Sequence, residues 1–188
     1  MLVVLVIVSI VSGLIFASYQ RVLDIRIRLA AFLDGTDAPT LIAGWFRDSI
    51  EGLLPDQTDG VDVFAGTARS LVGLSVAPID GTPGVPTRIA WEIVFDAGTA
   101  RTALRYRNGA AAAMTVASWP GDRGALRYCA PQLACFDSWP PPNQTVSQLP
   151  ALIVLQAVRG TEGWPIAAAP QADRDPMPKI PNFAAPSS

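Results

Sequence analysis

The chain has 188 residues and a formal net charge of −2 with no run of one sign, so it offers no basic stripe for neutralising nucleic-acid phosphates. It contains no histidine, which removes the commonest metal ligand, the usual general base near neutral pH and every His-containing catalytic triad. Its two cysteines, Cys129 and Cys135, are too few for a structural zinc site and wrongly spaced for a C-x-x-C redox pair.

The N-terminal run from Met1 to Tyr19 carries no charge. A bilayer core of about 30 Å takes roughly 20 apolar residues as a helix. Leu2 to Ala17 supplies most of that length, interrupted by Ser9, Ser12 and Gly13. A retained membrane helix is the reading this composition favours, since in lipid the backbone has no hydrogen-bond partner but itself. A cleaved signal, with Ala17-Ser18 as a weak cleavage site but no basic leader, and a buried core helix are the alternatives. Counting Arg21, Arg26 and Arg28 alone, the positive-inside rule places the remainder in the cytoplasm.

Helical periodicity continues through Val22, Ile25, Leu29, Phe32 and Leu33, and resumes after Gly35 and Pro39 with Ile42, Trp45, Phe46, Ser49, Ile50, Leu53 and Leu54. Asp37 is a candidate cap, with Pro39 in the first turn that follows it. These stripes describe one stem kinked near residue 36, or two separate helices. Beyond Pro55 the period becomes two. Strands are expected at Ser70 to Ala77, Thr87 to Asp96, Ala100 to Tyr106, Met114 to Ser118, Ala125 to Cys129 and Ala151 to Val158, the last central to the sheet. The short connection Ala97-Gly98-Thr99 makes the second and third a hairpin. From Pro165 onward six prolines and little apolar pattern predict a surface-lying or disordered tail. The chain thus divides into a transmembrane helix over 1–19, an amphipathic stem over 20–54 with a possible kink at 35–39, an antiparallel sheet domain over 55–164 and a tail over 165–188.

Few residues suggest chemistry. Asp48 and Glu51 share one helix face, but a catalytic acid/base pair also needs a cleft that separates their pKa values. Asp56, Asp59 and Asp62 recur every three residues, without the alternating ligands or closing glutamate of a calcium loop. No phosphate loop or nucleophile elbow is present. The expectation is a protein that is not an enzyme and uses neither metal nor cofactor. Cys129 and Cys135 are candidates for a disulfide outside a reducing compartment, with two free thiols as the alternative.

The run LVVLVIVSIVSGLI resembles the hydrophobic stretch of type IV pilin-like proteins, which in that family follows a cleavage glycine, a phenylalanine and a glutamate. On that alignment Met1 lies just after the glutamate. The rest resembles the J-type minor pseudopilins of type II secretion systems. The shared positions are Trp45-Phe46-Arg47-Asp48, Phe64-Ala65-Gly66 leading into Leu71 to Val76, and Leu104-Arg105-Tyr106. Further along they are Tyr128, Trp139-Pro140, Leu149-Pro150 and the strand from Ala151. The resemblance spans roughly residues 1–158.

It implies an α+β pseudopilin fold, with a long N-terminal membrane-spanning helix packed against an antiparallel β-sheet domain. It also implies a single-pass inner-membrane protein whose C-terminal domain is periplasmic and which helps assemble the tip of a secretion pseudopilus. Its partners would be other minor pseudopilins, the major pseudopilin and inner-membrane lipid, with no nucleic acid and no small-molecule substrate. The assembly residues would be Leu2, Val6, Ser9, Gly13, Phe16, Tyr19, Val22, Ile25 and Leu29. A minor pilin of a type IV pilus is one alternative. A membrane-anchored periplasmic binding module is the other, and it predicts an exposed aromatic groove around Trp119 and Trp139.

Overall fold

The structure, a computed structural model, describes residues 38–57, 59–132, 134–159 and 162–177. The uncharged N-terminal run and the first amphipathic stripe lie outside these residues, as do all nine expected assembly residues from Leu2 to Leu29. By its internal contacts the chain separates into Met1–Leu41 and Ile42–Ser188, and the two sheets belong to the second unit.

The described helix, α1, runs Ala38–Glu51. Pro39 sits in its first turn, where a missing N–H costs no intrahelical bond. Ile42, Ala43, Phe46, Ser49 and Ile50 recur at three- and four-residue steps and are buried, while Arg47 and Asp48 point to solvent. The last turn closes with the Gly52 N–H donating to Asp48 O at 3.0 Å. A β-carbon at Gly52 would lie 2.8 Å from that of Ala77, so the chain can leave the helix this close to the sheet only with glycine.

The strands are β1 (Leu53–Leu54), β2 (Ala65–Gly66), β3 (Ser70–Ser75), β4 (Thr87–Asp96), β5 (Arg101–Asn108), β6 (Met114–Pro120), β7 (Ala125–Cys129), β8 (Cys135–Phe136), β9 (Leu152–Arg159) and β10 (Glu162–Ala168). They form two antiparallel sheets. The larger has the order β1-β3-β4-β5-β6, with β2 also on β3, and the smaller has the order β10-β9-β7-β8. Alternation sets the inward face of the larger sheet: Leu71 on β3, Ile89, Trp91 and Ile93 on β4, and Leu104 and Tyr106 on β5 are all buried. Phe46 meets the Trp91 ring edge-on at 5.4 Å, and Trp91 meets Tyr106 at 5.0 Å, so one aromatic row runs from α1 across the sheet. The Trp91 indole N–H donates to Ser49 Oγ at 3.0 Å, and Ser49 Oγ donates to Phe46 O at 2.9 Å. Both buried polar groups are thereby satisfied.

The two sheets share one hydrophobic core. Their junction is made where β2 approaches Trp139: Gly66 and Trp139 exchange backbone bonds at 2.8 and 2.9 Å. The Tyr128 hydroxyl lies within 2.8 Å of both Thr67 O and Ser70 O, tying β7 to the start of β3. The turn between β6 and β7 uses Gly121 and Gly124, both at positive φ, to carry the chain from one sheet to the other.

The expectation of a long membrane-spanning helix on an antiparallel sheet domain is therefore corrected. Among the described residues the α-helix is 14 residues long, and no helix is long and apolar enough to cross a membrane. The strands divide into two open sheets because the chain turns out of the larger one at Gly121 and pairs β7 with β9 instead of β6. Beyond the expected strands, β10 runs through Pro165, which its outer position in the smaller sheet tolerates. Gln171, Arg174 and Asp175 make specific bonds to Glu51, Leu149 and Gln148.

Candidate functional site

The C-terminal end of α1 opens into a groove of about 620 Å³. Three stretches distant in sequence build it. The end of the helix and the β1 residues that follow it contribute Asp48, Glu51, Leu53 and Leu54, and the continuation of β3 contributes Val76 and Ala77. The chain beyond β10 supplies Gln171 and Ala172, and Gln171 is clamped twice. Its backbone N–H donates to Glu51 O at 3.1 Å, and its side-chain amide donates to Glu51 Oε2 at 3.0 Å. The walls are mainly aliphatic, and the polar rim is acidic.

The electrostatics of this rim are unusual for a helix terminus. Carbonyls at a helix C-terminus carry partial negative charge, which cations normally offset. The last turn of α1 has no basic residue and instead holds Asp48 and Glu51. Two carboxylates and a helix dipole therefore present negative charge beside an aliphatic wall.

The other residues suggested by sequence are occupied. Asp56 caps its own loop, accepting from the Gln57 N–H at 2.7 Å and the Asp62 N–H at 2.9 Å. Asp62 pairs with Arg88 at 3.0 Å. Among the described residues no group of three or more Asp, Glu, His or Cys is placed to hold a metal ion. Cys129 and Cys135 are joined by a disulfide across the β7–β8 hairpin. Trp119 and Trp139 are both buried, at 3 % and 2 % exposure, and their indole N–H groups donate to Arg123 O and Gln148 O. That removes the exposed aromatic groove.

Two features were not singled out from sequence. Gln171 lies in the proline-rich stretch and gave no local signal. The arginines of β5 had one: Arg101, Arg105 and Arg107 alternate within ARTALRYR, which places them together on the solvent face of a strand.

The chain matches no protein-family model and no curated protein. Together with the absence of a membrane-crossing helix among the described residues, this overturns the assignment to the J-type minor pseudopilins. The secretion-pseudopilus role, its pilus and anchored-module alternatives, and the single-pass inner-membrane placement are corrected with it. Short aromatic and Leu-Pro matches arise wherever buried rings and strand-entry turns recur, so they were too common to carry kinship.

Proposed function

We propose that the domain is a non-catalytic protein-binding module that receives a lysine or arginine side chain of a partner in the groove at the end of α1. The observation that carries this reading is the pairing of an aliphatic wall with two carboxylates on a helix C-terminus that has no basic residue of its own. A long cationic side chain matches both parts, its methylenes lying on the wall and its charge reaching the rim. Glu51 is held in place by Gln171, so the rim needs little reordering when a cation arrives. Binding fits the site better than catalysis, because Asp48 stands in solvent on the surface of the helix.

Magnitudes limit what one side chain can achieve. Burying three or four methylenes contributes about 2–3 kcal/mol, and a solvent-facing ion pair adds about 0.2–1 kcal/mol. Their sum, about 2–4 kcal/mol, corresponds to a Kd no tighter than about 1 mM. A whole partner must therefore add contacts outside the groove, and the groove selects the side chain.

Titration with a tetra-arginine peptide, followed by amide NMR shifts, tests the reading. Shifts are expected to concentrate on residues 48–54, 76–77 and 171–172, to develop over the millimolar range of peptide or above, and to require up to about five-fold more peptide in an Asp48→Asn, Glu51→Gln variant. Shifts centred elsewhere, or unchanged in that variant, would overturn it.

A further inference from the structure

The pairing register of the larger sheet places Arg88, Glu92, Val94 and Asp96 of β4 on the face turned away from the core. Beside them stand Arg101, Ala103, Arg105 and Arg107 of β5. All four arginines are exposed. We infer that this outer face is a docking surface for an extended acidic segment of a partner protein, separate from the groove at the end of α1.

The positive charge of this face is incompletely used. Arg88 is committed to Asp62 at 3.0 Å, but the Arg107–Glu92 pair is loose at 3.7 Å. Arg101 reaches sideways over β6 and donates to Ser118 Oγ at 3.0 Å, which holds its guanidinium in place without neutralising it. Arg105 lies directly opposite Glu92 in the register, yet among the described residues its side chain makes no hydrogen bond or ion pair. It is within electrostatic reach of Asp96, whose carboxylate already accepts from Thr99 Oγ1 at 2.8 Å and the Gly98 N–H at 2.9 Å. Two guanidiniums of β5 thus lack a carboxylate partner, and a third has a weak one.

Geometry narrows the occupant. Side chains two apart on a strand stand about 6.8 Å from each other, the same repeat as alternate side chains of an extended peptide. An acidic residue at every second position would meet Arg105 and Arg107 in step, and Val94 and Ala103 offer aliphatic contact between the charges. Nucleic acid fits less well. The rings of Trp91, Tyr106 and Trp119 are buried on the opposite face, so these strands offer no stacking platform, and Glu92 and Asp96 would repel a continuous phosphate track.

Fluorescence anisotropy with a labelled deca-glutamate peptide and the full chain, at low ionic strength, provides the test. Binding is expected to weaken with added salt. It should fall by about five-fold or more in Arg105→Gln, Arg107→Gln, on the scale of two surface ion pairs. Arg47→Gln, which removes one positive charge from the exposed side of α1 and so matches Arg105→Gln alone, should leave it unchanged, as should the Asp48→Asn, Glu51→Gln variant that probes the groove. Thermal melts establish that each variant is folded, and Arg105→Gln alone serves if the double variant is not. No binding of the peptide, an equal loss with Arg47→Gln, or tighter binding of a deca-thymidine strand would overturn the inference.

Discussion

Gly66 has no room for a side chain. A β-carbon there would lie 2.3 Å from the Tyr128 ring, and the same residue exchanges two backbone bonds with Trp139. Gly66→Ala is expected to destabilise the fold by about 1–3 kcal/mol, the usual range for overpacking a filled site, read as a lower urea midpoint. Tyr128 closes the same junction from the other side. Tyr128→Phe leaves Thr67 O and Ser70 O without their hydroxyl donor and should cost about 1–2 kcal/mol. Burial also pushes the phenols up, Tyr106 to about 12 and Tyr128 in the same direction. Such a phenol holds its proton more tightly folded than unfolded. Its contribution is therefore intact below the unfolded value of about 10 and lost as pH climbs through the higher folded value. Urea midpoints measured against pH should stay level with respect to these groups up to about pH 10 and then fall. In Tyr128→Phe the fall should be shallower, and an unchanged slope would contradict the assignment.

At the scale of elements, α1 ends with a charge arrangement that opposes its own dipole. Asp48→Asn should therefore raise stability by about 0.3–1 kcal/mol while weakening capture of a cationic peptide. Stability and binding moving in opposite directions at one residue would mark the rim as a functional site, where local stability is given up for recognition. A variant that loses stability would show instead that Asp48 serves the fold. The β5 strand presents the same logic in a sheet. Leu104 and Tyr106 face the core, so Arg105 and Arg107 must face solvent whatever their role. Alternation accounts for where these arginines stand. It does not account for three of them standing in one column, and that excess makes the face a candidate for docking.

In the unit Ile42–Ser188 the two sheets and the buried part of α1 share one contiguous core. The Gly66–Trp139 bridge and the Tyr128 hydroxyl couple the sheets through buried contacts, not through a surface linker. Chemical denaturation of this unit is expected to be a single transition, with tryptophan fluorescence and far-UV circular dichroism giving coincident midpoints. Trp91 and Trp119 report on the larger sheet and Trp164 on the smaller one, so separate unfolding of the sheets would split the fluorescence curve.

Much of the secondary structure was legible in the chain itself. Alternation over Thr87–Asp96 and Ala125–Cys129 marks β4 and β7, and the stripe Ile42, Phe46, Ile50 marks the buried side of α1. These signals are local, since the pleat and the helical turn set which neighbours share a face within a few residues. The division of the strands into two sheets is not local. It depends on whether β7 pairs with β6 or with β9, and both pairings satisfy the same alternation. The groove was equally hidden, because it joins Glu51 to Gln171 across 120 positions through a bond that no sequence period records. Where a period is legible in the chain, as over α1, β4 and β7, it sets which side of the element faces the core, whereas β10 falls largely in a stretch that reads as a tail. Which elements meet was settled only on folding, because pairing and burial depend on contacts between residues far apart in the chain.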